Sequence, residues 1–484
     1  MLKSNIAWMK KNVPSDLKVW KGMIQDIDWS QVAAKTKLSL QRDKDRITAE
    51  FKEFAAMDTS AKIDWLMNGD RHLGYLYKKD AIAFARREWK GLKSVGYDFV
   101  GWLKIWGGML NMVMKDPMSI MLAVFEYHWF ASYLATPAVV DRSVFGRRGK
   151  LLQADFDMWV AITHWAEDLI ANLIMADAKI GGNQKINKRI IMFDEMTMAQ
   201  MMAGFPNLLG IPYQMIPVFM VSEMDQLTLI PYIDAIESYG LPSDTCPLPT
   251  AECGCAVKDE YPMCGQGFIA SSMPCDGSVM ATSFQDRRFS KFMPSYPLCM
   301  PVRYDDEDTT EMAAADMKDC IHWVEGLTGE TWNWDTYFAT MEKMNECTRL
   351  EMEKWEINKT HYPQLVGSSF ELFRKWNYEM DGGLFPEGLK TQRKICKTMM
   401  ETYEKKLPAY VGGYEKYRAL IWSCPAHFYA NFSNWLANCW GIYALTEMEA
   451  LNMTKMLNTT DKEEAINDLC RLYERMVMRR HTNG

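Results

Sequence analysis

Between residues 188 and 330 short apolar runs alternate with amphipathic stretches, and few folds accommodate that alternation. Strand-type runs are Arg189-Ile-Ile-Met-Phe193, Ile211 to Val221, Phe268 to Met273 and Tyr296 to Val302. Helical patterns lie between them, over Asp194 to Gly204, Gln226 to Ser238, Ser278 to Phe289 and Asp308 to Glu325. In the last of these Ala313, Met317, Cys320, Ile321 and Val324 recur at helical spacing. Strands alternating with helices predict a parallel sheet with right-handed crossovers. Ligands of such sheets collect at the carboxyl ends of the strands, and Cys275 follows the third run.

The flanks read differently. Residues 1–185 show helix after helix, best seen from Asp155 to Ala178, where Trp159, Ile162, Ala166, Leu169 and Leu173 form one stripe that Gly181-Gly182 stops. His164 and Glu167 sit one turn apart there; with no third ligand nearby they read as a polar helix edge. Residues 331–410 form a helical connector. A second alternating segment, 411–484, has strands at Tyr417 to Ser423 and Gly441 to Leu445 and a helix from Asp461 to Met476. The expected fold is α/β, with a large helical N-terminal region, a first Rossmann-like lobe over 186–330, and a second lobe short of one or two strands.

A net charge of -7 without a Lys/Arg cluster argues against nucleic acid. The longest apolar run, Ser119 to Val140, contains Glu126 and His128 and meets Pro137, so it reads as a buried or interface helix and not a membrane span. Trp102, Trp106, Phe125, Trp129 and Phe130 in this region read as core or subunit contact. The start, Met1-Leu-Lys-Ser-Asn-Ile-Ala-Trp-Met-Lys-Lys, lacks a signal-peptide pattern, so a cytoplasmic location with reduced thiols is expected. The 38 methionines and 18 tryptophans suit a cell that meets little oxygen. Gly265-Gln-Gly267 and Gly412-Gly413 lack the residues of a phosphate loop.

Five of the 12 cysteines, Cys246, Cys253, Cys255, Cys264 and Cys275, fall between residues 246 and 275, interleaved with glycine and proline. That interleaving reads as loops gathering thiolates. Their spacings of 7, 2, 9 and 11 contain no CxxC-type pair of the kind structural zinc favours. A nucleophilic cysteine needs a basic neighbour, and the nearest histidines in sequence are His164 and His322. An iron–sulfur cluster tolerates irregular spacing, and adjacent glycine and proline leave N–H groups for its sulfurs. Zinc, nucleophile, cluster and idle thiols all stay open on the residues alone; Cys320 and Cys347, within helical patterns, read as idle.

The order of elements from Arg189 to Glu330 resembles the 2-hydroxyacyl-CoA dehydratase and benzoyl-CoA reductase family. The matching residues are Ala203-Gly204-Phe-Pro, Ser243-Asp-Thr-Cys246-Pro, Met273-Pro-Cys275-Asp, Pro301-Val-Arg-Tyr and Leu327-Thr-Gly-Glu330, with Tyr417 to Leu445 resembling the start of the second lobe. The resemblance implies a low-potential [4Fe-4S] cluster held by three cysteines, with Cys246 and Cys275 as the first two. It also implies a homologous second subunit, an ATP-hydrolysing iron–sulfur activator, and an acyl-CoA thioester reduced to a ketyl-like radical that loses water or whose aromatic ring is reduced.

Three positions depart from the family pattern. The resemblance places its third ligand in the final part of the second lobe, which this chain is expected to stop short of, leaving Cys424, Cys439, Cys253, Cys255 or Cys264 to substitute. The acidic residue usual at the start of its first helix is Met198 here, with Glu195 one turn earlier. Residues before 185 have no counterpart. The extra thiols suggest a larger or second cluster, as in double-cubane-type reductases of small molecules. A rival reading is a non-catalytic helical scaffold with a zinc-binding loop.

Overall fold

The computed structural model describes residues 29–68, 91–144, 146–194, 199–224, 226–272, 275–300, 307–365, 367–407, 409–410, 415–421, 432–447 and 454–476. Its N-terminal part is helical: α1 (Trp29–Ala56), α2 (Thr59–Asn68), α3 (Leu92–Lys115), α4 (Pro117–Glu126), α5 (Thr136–Ser143) and α6 (Gly149–Ala176). The Ser119 to Val140 run is not one helix. Tyr127 leaves α4 in an extended conformation, and a 3-10 segment, His128–Ala135, leads into α5. The break turns Tyr127 and Trp129 into the core, where both are fully buried. Of the other aromatics of this region Phe130 is buried, whereas Trp106 and Phe125 are exposed.

Helix α6 carries the predicted stripe, and all five of its residues are buried. Burying each Leu or Ile there contributes about 1.5–3 kcal/mol of transfer free energy. Against α6 packs α3, whose Gly101 and Gly108 permit close approach: a Cβ at either would run into Phe156 or the Glu167 carboxyl group.

Next comes the alternating segment, with β1 (Ile190–Phe193), β2 (Leu209–Pro212), α7 (Ile230–Glu237), α8 (Pro247–Val257), β3 (Gly267–Ser271), α9 (Asp276–Phe289), β4 (Ser295–Leu298) and α10 (Glu307–Thr328). The strands form a parallel sheet in the order β2-β1-β3-β4, with Ile190 opposite Leu209, Ile191 opposite Gly267, and Phe268 opposite Ser295. Side chains alternate between two cores. Ile190, Met192, Phe268 and Ala270 join the core shared with α6, while Ile191, Phe193, Ile269 and Leu298 face the core under α10.

Two expectations need correction. The strand placed over Ile211 to Val221 is only Leu209–Pro212; Met215–Phe219 is a π-helical turn and Met220–Met224 an α-helical one. A short apolar run buried on all sides has no periodicity that separates strand from helix. The stretch after Cys246 is not loop but α8, begun by Pro247 at N1, where proline costs no hydrogen bond.

The connector supplies α11 (Trp334–Asn358), α12 (Ser368–Lys375), continued by a π-helical turn at Trp376–Met380, and α13 (Pro386–Glu404). Helices α12 and α13 pack on α6, and the main core runs from Ile105 through the sheet to Met399. The second alternating segment shows β5 (Tyr417–Ile421) and β6 (Ile442–Glu447), parallel with a bulge at Ala419/Leu420, and α14 (Lys462–Met476), which packs on α10. Among the described residues the fold is α/β, with one four-stranded and one two-stranded parallel sheet.

Candidate functional site

The chain order reverses between β1 and β3, so the carboxyl ends of these strands form the switch point where α/β sheets bind ligands. Asp194, just after β1, is fully buried. Its Oδ2 accepts the Ser271 N–H at 2.5 Å and the Thr282 hydroxyl at 3.0 Å, which ties the ends of β1 and β3 to α9. One strand over, the Ser272 hydroxyl donates to the Met300 carbonyl and accepts the Met300 N–H, at 2.9 and 2.8 Å, so the segments after β3 and β4 are fixed together.

Cys275 is the N-cap residue of α9, and Cys246 is the N-cap residue of α8. Neither is fully buried. Helices α8 and α9 pack against each other, and their starting turns meet: a Cβ on Gly277 would lie 2.9 Å from Pro249 and 3.5 Å from Cys275 Sγ. Both thiols thus sit at the positive ends of neighbouring helix dipoles, beside N–H groups that no preceding turn satisfies. The Ser278 hydroxyl is 3.7 Å from Cys275 Sγ.

The three intervening thiols lie elsewhere. Cys253 is buried against Ile236 and Ala281, and burial, followed by the Glu252 carboxylate, raises its pKa to about 12. Cys255 and Cys264 are in the main core, and burial pushes both thiols well up. The glycine between Cys253 and Cys255 serves packing, since a Cβ on Gly254 would collide with the Tyr232 carbonyl of α7. Cys320 and Cys347 are buried within α10 and α11.

Cys424, Glu195 and Met198 lie outside the described residues, as does the side chain of Cys439. Among the described residues no three His, Cys, Asp or Glu side chains converge as a metal-ion site. One thiol escaped the reading of the sequence. Cys299 follows β4, is exposed, and donates its N–H to Asp316 at 2.7 Å. Leu298 pairs with Ser271 and faces the core under α10, so Cys299 alternates to the sheet face that carries α9. Its place at the carboxyl end of the strand beside that of Cys275 was the signal available.

The N-terminal helices brace the opposite, amino end of the sheet, where the chain passes from α8 into β3. The Tyr127 hydroxyl donates to Asp177, which also accepts the Met263 N–H at 2.7 Å, next to Cys264. The Glu260 carboxylate accepts the His128 N–H at 2.8 Å and the Tyr232 hydroxyl at 2.5 Å, and its carbonyl accepts Trp129 Nε1–H at 2.8 Å. Burial raises the pKa of Asp177 and, with nearby Arg288, lowers that of Lys179 to about 8.

A sequence profile described as 2-hydroxyglutaryl-CoA dehydratase, D-component, matches residues 226–483, just over half of the chain. The chain belongs to the 2-hydroxyglutaryl-CoA dehydratase D-component family. The match begins just before α7 and takes in both N-cap cysteines, Cys299, the connector and β5–β6. No curated protein matches the chain. D-component membership makes it a component of a dehydratase-type enzyme, with a partner subunit and an acyl-CoA substrate. No helix among the described residues is long and apolar enough to cross a membrane.

Proposed function

We propose that this chain is the iron–sulfur subunit of an ATP-dependent, low-potential enzyme that removes water from a 2-hydroxyacyl-CoA. The observation that carries this reading is the pair of N-cap thiols, Cys246 and Cys275, at the switch-point edge of the family's sheet. Their helix termini and incomplete burial fit thiolate donors to a [4Fe-4S] cluster, which when bound supplies single electrons at low potential. The deeply buried thiols, held neutral by their surroundings, fit that role less well. A third donor is assigned to Cys299, at the same edge, or to Cys424.

The chain's own residues contribute position and dryness. Asp194, Ser271 and Ser272 fix the strand ends, and the Tyr127–Asp177 and Glu260 networks hold the 246–264 segment against the N-terminal helices. A homologous second subunit and an ATP-hydrolysing activator complete the proposed system, in the cytoplasm.

Iron and acid-labile sulfide per chain, measured after anaerobic purification, test the reading. Wild type is expected to show about four iron atoms and a shoulder near ~400 nm that dithionite bleaches. Cys275→Ala should lose most of the iron while Cys347→Ala keeps it, and the same readout on Cys299→Ser and Cys424→Ser identifies the third donor. A colourless, zinc-containing protein, or equal iron in the Cys275 and Cys347 variants, overturns the proposal.

A further inference from the structure

Helix α3 is apolar on both faces. One face packs on α6; the other leaves Leu92, Phe99, Leu103, Trp106, Leu110 and Met114 exposed, with Trp106 at 55% and Phe99 at 64% of full exposure. Helix α4 extends the surface through Met118, Met121 and Phe125, and α2, which packs beside α3, through Ile63 and Leu66. The exposed apolar area is on the order of 1,000 Å², above the few hundred of an ordinary monomer patch and close to one side of a standard protein interface. Elsewhere among the described residues, exposed large apolar side chains are dispersed over separate elements.

Two exposed glycines give the stripe its shape. Gly96 and Gly107 have open space where a Cβ would stand, unlike Gly101 and Gly108, which the contact with α6 requires. Glycine inside an exposed helix weakens it by about 1 kcal/mol relative to alanine, and no described residue lies within 4 Å of either position to offset that. Aligning the stripe with an antiparallel copy of itself about Leu103 explains the spacing. Phe99 then faces Gly107, Leu110 faces Gly96, Trp106 faces Val100, Leu92 faces Met114, and Leu103 meets its own copy. The same alignment sets Lys93, Lys104 and Lys115 opposite Val113, Trp102 and Gly91, so no like charges oppose each other. In this alignment large side chains meet glycines and the stripe complements its own copy, which is the condition for a closed two-fold interface.

We propose that two copies of this chain associate through α3, crossing at Leu103 with large side chains seated over Gly96 and Gly107. The inference stands apart from the cysteine site. Sedimentation velocity on the full chain under reducing conditions tests it. Wild type at micromolar concentration is expected at twice the mass of the chain. Leu103→Glu and Leu103→Lys, both at an exposed position, should each sediment as monomers with unchanged circular dichroism, and mixing them one to one should restore the dimer, because residue 103 faces itself. Wild type at single-chain mass overturns the proposal; if that monomer binds phosphatidylglycerol vesicles, the face belongs to a membrane surface. Dimeric single variants, or a mixture that stays monomeric, overturn the pairing about Leu103.

Discussion

Asp155→Ala should be among the most damaging single substitutions in this chain. Asp155, on α6, and Arg147, just before it, form an ion pair at 3.1 Å with side chains 0% and 1% exposed. The guanidinium also donates to the Ala409 carbonyl at 2.5 Å and lies 3.9 Å above the Tyr410 ring, so it joins the N-terminal helices to the end of the connector. Tyr410 in turn donates to Asn434 Oδ1, and Asn434 donates to the Ser143 carbonyl, both at 2.5 Å. Removing the carboxylate takes away the buried counter-charge 3.1 Å from the guanidinium. Breaking a buried pair in this way costs about 3–5 kcal/mol. Replacing both partners, as Arg147→Met with Asp155→Leu, removes the uncompensated charge and should cost less than Asp155→Ala alone. Urea unfolding followed by tryptophan fluorescence reads both, as a shift in the midpoint of the transition that includes the α6 core. A loss under about 1 kcal/mol for Asp155→Ala, or a double variant as damaged as the sum of its singles, would refute the reasoning.

Neighbouring glycines on α3 should respond in opposite directions. Gly108→Ala meets the Glu167 carboxyl group and should lose about 1–3 kcal/mol by overpacking, whereas Gly107→Ala, measured in the monomeric Leu103→Glu background, should gain up to about 1 kcal/mol. Asp381 is buried, and burial raises its pKa to about 7, although its carboxylate accepts the Phe385 N–H. The folded state thus binds the proton more tightly, so stability is fully present below the unfolded pKa of about 3.9 and is lost as pH rises towards 7. Asp381→Asn should flatten that fall when urea midpoints are compared across the range; an unchanged slope would exclude Asp381 as its source. In metal-free protein, Cys246, Cys275 and Cys299 should react with a thiol reagent well before the buried Cys253, Cys255, Cys264 and Cys320, which should wait for denaturant; simultaneous reaction would contradict the burial described.

The parallel sheet was legible because β1, β3 and β4 are short apolar runs bounded by polar or glycine-rich segments, and because α10 shows a full helical period. β2 was not, since Ile211 to Val221 is apolar throughout and the strand leaves the sheet at Pro212, where no local signal marks the change. The helix starts at Cys246 and Cys275 were legible. Cys246 stands before a proline and Cys275 before an acidic residue, each the residue type that opens a helix. What misled was Cys253-Gly254-Cys255: glycine beside cysteine suggests a loop, yet Gly254 is set by the Tyr232 carbonyl of a helix more than twenty residues earlier, and no local pattern encodes a close approach of that kind. Cys299 went unnoticed because its meaning depends on strand pairing, which places it next to Ser272 across the sheet.

Helix α8 also bears on the size of any cluster at this edge. Cys246 caps the helix, Cys253 lies seven residues on, about 10 Å farther along the axis at the usual rise, and Cys255, two residues later, is turned to the opposite face. Thiols separated in this way do not meet around one inorganic core while the helix persists. Recruiting Cys253 or Cys255 would require α8 to unwind, the Gly254 contact with Tyr232 to part, and two thiols with raised pKa to ionise in the core. A single cubane at the outer thiols requires none of this. Extra iron held through Cys253 or Cys255 would therefore have to come with loss of helix in the 247–257 segment, which circular dichroism of the apo and iron-loaded protein would reveal.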